Sequence, residues 1–163
     1  MSSSGIKKIE TIHWNGDIND RPAHQKAIDD VSFQINQASK EGRPVVIISH
    51  SKGGLIAYES ALSLDPKNSK SKVMLVTLNT NEHLVYDGGS QSKALPANVN
   101  WVNFYSQPLS GDIAKVDVNL PAGRKAGEIS KANINEEINE PNAKGGHDSG
   151  IESRKVEVMS IGV

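Results

Sequence analysis

The sequence predicts an α/β fold, a mostly parallel sheet of about five strands with helices on both faces. Apolar runs of strand length alternate along the chain with segments whose apolar residues recur at helical spacing. The runs are nearly continuous, which is typical of parallel strands that are covered on both sides. A length of 163 residues suits one domain with a sizeable core. We therefore expect a single α/β domain over residues 1–163.

The first half of the chain alternates strand and helix. The segment from Ile9 to Gly16 has a β-type sequence that runs into a turn rich in Gly, Asn and Asp. Between Ala23 and Glu41 the apolar residues recur at helical spacing, and a glycine follows as a stop signal. The apolar run Val45 to Ile48 predicts a second strand, and the next segment, from Gly54 to Leu64, predicts a second helix.

The second half of the chain adds strands and a long polar stretch. Apolar residues fill the middle of Ser71 to Thr80 and of Val99 to Ser106, which predicts a third and a fourth strand. Residues 121–150 are polar and contain only one helix candidate, around Ile129 to Ile138. The C-terminal residues 154–163, RKVEVMSIGV, favour a last strand, whose alternating pattern also suits the edge of a sheet.

Composition excludes several classes of partner. With 23% charged residues and a formal net charge of −1, the chain lacks the basic excess that attracts nucleic acids or anionic lipids. No run approaches the roughly 18 apolar residues of a membrane span. The opening MSSSGIKKIE lacks the apolar core of a signal peptide, so we expect a cytoplasmic protein, with a leaderless export route left open.

Metal ions and other cofactors are not expected. The chain has no cysteine, which excludes disulfides and thiolate metal sites. His13 and His24 have Asp17 and Asp20 nearby, but no pair among them has a recognised ligand spacing. The sequence leaves the oligomeric state open.

The turn SHSKGG, residues 49–54, carries the functional signal. Ser51 follows an apolar strand and precedes a helical pattern, with Ser49 two residues before it and Gly53 two residues after it. A sharp strand-to-helix turn requires small residues at both flanking positions. The segment resembles the G-x-S-x-G nucleophile elbow of the α/β-hydrolase fold in its HSxGG form, with His50 and Gly54 in place and Ser49 replacing the first glycine.

The resemblance implies a catalytic triad in the chain order serine, acid, histidine. Ser51 is the nucleophile. His147, in the glycine-rich AKGGHDSG near the C-terminus, falls where the family has its histidine. Asp112, in the segment after the fourth strand, resembles the acid, and Asp117 and Asp87 stay open as alternatives.

The resemblance also implies an oxyanion hole, the pair of N–H groups that binds the negatively charged oxygen formed during attack. One donor is the backbone N–H of Lys52, directly after the nucleophile. The other comes from the loop after the first strand, HWNGD, which holds Trp14, Asn15 and Gly16. Which of these three amides donates stays open.

The function that the resemblance implies is that of a serine hydrolase, an esterase or lipase-like acyl hydrolase working through an acyl-enzyme. The short connection from Asn79 to Val99 favours an open, lidless site for a small-molecule or lipid-like acyl ester. The alternative is a degenerate hydrolase fold that binds proteins without catalysis, favoured if Ser49, or the short length of the chain for this family, prevents the elbow from forming. Two plainer alternatives make Ser51 a helix N-cap or make the SKGG amides an anion site.

Overall fold

The α/β class and the mostly parallel sheet are confirmed by the structure, a computed structural model that describes residues 6–17, 19–64, 71–80, 93–105, 129–137 and 155–161. These residues form six strands and two helices, in the order β1 (Ile6–His13), α1 (Arg21–Lys40), β2 (Val45–His50), α2 (Gly53–Leu62), β3 (Val73–Leu78), β4 (Val99–Tyr105), β5 (Ile134–Glu137) and β6 (Lys155–Ile161).

Helix α1 has the termini that its sequence predicts. The side chain of Asp20 caps the first turn by accepting a hydrogen bond from the backbone N–H of Ala23 at 3.1 Å. Gly42 follows the last turn with φ +68° and donates its N–H to Ser39 O at 3.0 Å. The positions at helical spacing face the sheet and are buried: Ala27, Val31, Ile35 and Ala38.

The sheet has the strand order β1-β6-β2-β3-β4-β5. Strands β2 to β5 are parallel to one another, while β6 is antiparallel to both β1 and β2. The C-terminal residues therefore do form a strand, but the interpretation of that strand as an edge is wrong. Hydrogen-bonded ladders run along both sides of β6, where Lys155 is opposite His13 and Val156 is opposite Ser49.

The helix candidate around Ile129 to Ile138 is wrong, because Ile134–Glu137 is the short strand β5. Asparagine side chains stabilise the extended conformation by bonding to backbone groups. Asn135 accepts from the N–H of Ile129 at 2.9 Å and donates to the carbonyl of Ile129 at 3.0 Å. Asn133 pairs in the same way with Trp101 of β4, giving its N–H to the carbonyl (2.9 Å) and accepting the N–H on its side-chain oxygen (2.7 Å).

The two described helices pack on the same face of the sheet. They contact each other directly, since Ser60 Oγ of α2 donates to the carbonyl of Ile28 in α1 at 3.3 Å. The chain passes from β1 to β2 to β3 in one direction across the sheet, and right-handed crossovers then place both helices on the same side. The covered face carries the fully buried strand residues Val45, Ile47, Val73, Leu75 and Trp101.

Candidate active site

The topology brings the ends of several strands to one edge of the sheet. Because β2 to β5 are parallel, all four end there, and β1 ends there too because it runs antiparallel to β6. The antiparallel β6 begins at the same edge. We call it the C-terminal edge; it comprises residues 14–16, 50–52, 79–80, 105, 137 and 155.

Ser51 lies at this edge in a backbone conformation that serine rarely adopts. Its φ is +50°, in the left-handed region where only a few per cent of non-glycine residues occur. Its N–H donates to Leu78 O of β3 at 2.9 Å, so the turn stays attached to the sheet. The residue is 3% exposed. Ser51 therefore lies at a strained turn between the buried strand β2 and helix α2, and we call this turn, residues 49–54, the elbow.

The N-cap of α2 is Lys52, whose side chain makes no capping hydrogen bond. Lys52 has helical dihedral angles (φ −59°, ψ −25°), and the carbonyl of Ser51 accepts a hydrogen bond from the N–H of Gly54 at 3.0 Å. The interpretation of Ser51 as a helix cap alone stays a prediction.

The residues around Ser51 fit the turn closely. Ser49 and His50 are each 2% exposed, so both pack inside the protein at the end of β2. Gly53 and Gly54 form the buried first turn of α2. A Cβ atom on Gly54 would lie 2.2 Å from Thr80 Oγ1 and 2.4 Å from Thr80 Cγ2, distances that no real Cβ tolerates. Glycine at this position therefore lets the chain after β3 approach the elbow.

The loop after β1 contacts the elbow. Lys52 Nζ donates to the carbonyl of Gly16 at 3.4 Å, and Gly16 has a positive φ of +78°. Trp14 belongs to the hydrophobic core and Asn15 Nδ2 donates to Asp20 Oδ2 at 2.6 Å. The Asn15 amide group is thus engaged within the protein, whereas the buried indole Nε1 of Trp14 has no hydrogen-bond partner among the described residues. The backbone N–H groups of the loop are its candidate oxyanion donors.

A row of buried polar side chains supports the sheet just inside the C-terminal edge. Trp101 Nε1 donates to Thr77 Oγ1 at 3.0 Å, Thr77 Oγ1 donates to Asn103 Oδ1 at 2.8 Å, and Asn103 Nδ2 donates to Asn135 Oδ1 at 2.9 Å. Ser49 occupies the same level of the sheet, opposite Thr77. Sequence analysis missed this row, although polar residues at inward positions of apolar strands were a visible signal.

The acid and the histidine of the predicted triad lie outside the described residues. This holds for Asp112 and His147 and also for the two alternative acids, Asp117 and Asp87. Of the predicted site, the structure brings together Ser51, Lys52 and the loop that holds Gly16. It adds Thr80, which sequence analysis missed because its contact with the elbow joins two distant segments of the chain.

The described ranges were also searched for groups that could bind a metal ion and for helices that could cross a membrane. His24 Nε2 and Glu59 Oε2 are 2.8 Å apart behind Trp14, and no group of three His, Cys, Asp or Glu side chains there could hold a metal ion. Within those ranges no helix combines the length and the apolar character needed to cross a membrane.

Comparisons with protein-family models, with curated proteins and with solved structures found no match.

Proposed function

We propose that this protein is a serine hydrolase that cleaves an ester, with Ser51 as its nucleophile. The observation that carries the proposal is the left-handed Ser51 at a strand-to-helix turn on the C-terminal edge of a parallel sheet. Ligand sites of open α/β sheets lie at the carboxyl ends of the strands. Backbone strain at one serine costs about 1 kcal/mol, and such strain concentrates at functional sites.

The topology favours His147 as the base. Strand β5 ends at the C-terminal edge at Glu137 and β6 begins there at Lys155, ten residues before and eight residues after His147. Strand β6 is adjacent to the nucleophile strand, and β5, three strands away, is about 14 Å from it at about 4.8 Å per strand. An extended chain covers about 3.5 Å per residue. Either connection is therefore long enough to allow His147 to reach Ser51.

The same reasoning supports Asp112 as the acid that orients the imidazole. Strand β4 ends at Tyr105, two strands from β2 and thus about 10 Å from the elbow. Asp112 follows seven residues later. Asp117 and Asp87 also follow strands that end at this edge, so they remain the rivals that mutagenesis must separate.

In the proposed reaction, Ser51 Oγ attacks the acyl carbon while His147 takes the hydroxyl proton. The bond from the acyl carbon to the leaving oxygen then breaks, and the imidazolium returns the proton to that oxygen. A water molecule, deprotonated by His147, then attacks the acyl carbon of the acyl-enzyme. The bond from that carbon to Ser51 Oγ breaks, the acid leaves, and the imidazolium returns the proton to Ser51 Oγ. The Lys52 N–H and one amide of the 14–16 loop stabilise the oxyanion in both steps. None of these steps requires a cofactor.

The substrate class that we propose is a small-molecule or lipid-like acyl ester. The alternative, a binding module without catalysis, was favoured if Ser49 kept the elbow from forming. Ser49 is buried at the end of β2 and Ser51 has the left-handed φ of +50°, which supports the enzyme over the binding module.

A fluorophosphonate probe tests the proposal, because it reacts covalently with an activated serine. We expect the wild type to be labelled and Ser51→Ala to be unlabelled. Ser63→Ala is the matched control: this serine lies at the exposed end of α2, donates to Ser60 O at 2.7 Å, and should not affect labelling. Folded wild-type protein, verified by circular dichroism, that takes up no probe would contradict the proposal and favour the binding module.

A further inference from the structure

The Thr80 hydroxyl donates a hydrogen bond to the carbonyl oxygen of Ser51 at 3.1 Å. We infer that Thr80 is a positioning residue, which holds the Ser51–Lys52 peptide so that the Lys52 N–H faces the oxyanion. This inference rests on the proposed hydrolase function and assigns a role that the elbow motif does not contain.

The orientation follows from the planarity of the peptide. In a trans peptide the N–H and C=O groups point in opposite directions. The Ser51 carbonyl receives two donors from the protein interior, Thr80 Oγ1 at 3.1 Å and the N–H of Gly54 at 3.0 Å. The Lys52 N–H must then point away from Thr80, and within the described ranges it has no acceptor. That orientation leaves the N–H available to a developing negative charge.

The local structure is adapted to bring this hydroxyl to the elbow. Asn79, the residue before Thr80, has a left-handed φ of +48° and donates its N–H to Phe104 O at 2.8 Å. The chain after β3 thus turns under the elbow, and Thr80 is fully buried there. Gly54 provides the space that its side chain occupies.

The expected effect is on the rate of the chemical step. Without the hydroxyl, the Ser51 carbonyl keeps only the Gly54 N–H, and the peptide can rotate away from the orientation that the oxyanion needs. Losing one oxyanion donor outright lowers kcat by about 10²–10³. Thr80 acts only through this peptide, and loss of its hydroxyl removes one of the two hydrogen bonds to the Ser51 carbonyl. We therefore expect a decrease of about 10-fold in kcat with KM nearly unchanged.

Two pairs of variants isolate the hydroxyl. Thr80→Val keeps the branched shape and removes the oxygen, while Thr80→Ser keeps the oxygen and removes the methyl. Thr80→Ala, compared with Thr80→Ser, repeats the deletion of the oxygen in a smaller side chain. The second-order rate constant of fluorophosphonate labelling and the kcat and KM for a 4-nitrophenyl ester are measured for each. We expect Thr80→Val to have a lower labelling rate constant and kcat than the wild type, and Thr80→Ala to have lower values than Thr80→Ser. Thr80→Ser should be close to the wild type.

Each outcome supports or overturns the positioning role of Thr80. If Thr80→Val is labelled as fast as wild type, the positioning role is wrong while the hydrolase proposal stands. If the Ser and Val variants lose rate equally, the shape of the side chain matters and its hydroxyl does not, which also overturns the inference. If Thr80→Val does not fold, the Ser and Ala variants give the same comparison. A folded wild type that is not labelled at all overturns both the inference and the hydrolase function.

Discussion

Substituting Gly54 by alanine tests the packing of the elbow against Thr80. In an ordinary helix this change is stabilising by about 1 kcal/mol, because alanine is the better helix former. Here the new Cβ would lie 2.2, 2.4 and 2.8 Å from Thr80 Oγ1, Cγ2 and Cβ. A buried β-branched side chain has no alternative position to move to without disturbing its neighbours.

The magnitude follows from the two opposing effects. Overpacking in a close-packed site costs about 1–3 kcal/mol. Displacing Thr80 also breaks its hydrogen bond to the Ser51 carbonyl, worth about 1 kcal/mol. After the gain in helix propensity is subtracted, we expect Gly54→Ala to lower the free energy of unfolding by about 2 kcal/mol.

Equilibrium unfolding in urea measures this loss, and a double-mutant cycle assigns it to Thr80. Thr80→Ala removes the two closest atoms and leaves only Cβ, at 2.8 Å. Gly54→Ala should therefore cost about 1 kcal/mol less in the Thr80→Ala background than in the wild type. A Gly54→Ala variant as stable as the wild type, or a cost that does not depend on Thr80, would refute the reasoning.

Three further predictions concern the acid of the proposed triad, strand β5 and the C-terminal end of helix α1. Asp112→Asn should lower kcat for a 4-nitrophenyl ester by about 10⁴, whereas Asp117→Asn and Asp87→Asn should leave turnover near wild type. If Asp112→Asn keeps its turnover and one of the other two variants loses it, that other aspartate is the acid of the triad. Asn135→Ala removes two hydrogen bonds to the backbone that precedes β5, so urea unfolding should show a loss of about 2 kcal/mol, and unchanged stability would contradict that role. Gly42→Ala, at φ +68° with open space around it, should lower the unfolding free energy by about 1 kcal/mol, and a stability gain would show that no strain arises.

The sequence predicts the strands and helices that have a strong local pattern. Helix α1 and strands β2 to β4 form close to the expected residues because their apolar spacing and their turn residues agree. Strand β5 was missed because it has four residues and depends on asparagine bonds to distant backbone groups. Local propensity cannot anticipate such pairing.

The arrangement of the elements was harder to predict than the elements themselves. The alternating pattern of β6 is compatible with several positions, and its place between β1 and β2 is decided by partners far away in sequence. Which face of the sheet each helix covers also depends on strand order. Because the chain moves from β1 to β2 to β3 in one direction, right-handed crossovers put both helices on the same face.

For the candidate site, the small residues around Ser51 predict the turn because the steric requirement is local. Thr80 was missed because its contact with Ser51 joins the ends of two different strands. Polar residues at the end of an apolar strand were the only signal, and such residues are common in turns.

A crystal structure of the fluorophosphonate-treated protein tests the central claim, that Ser51 is a nucleophile activated by His147. We predict a bond between Ser51 Oγ and phosphorus, with the phosphonyl oxygen about 2.7–3.1 Å from the Lys52 nitrogen. His147 should lie with an imidazole nitrogen about 2.6–3.2 Å from Ser51 Oγ. An adduct on another residue, or an imidazole of His147 that lies beyond hydrogen-bonding distance of Ser51, would contradict the claim.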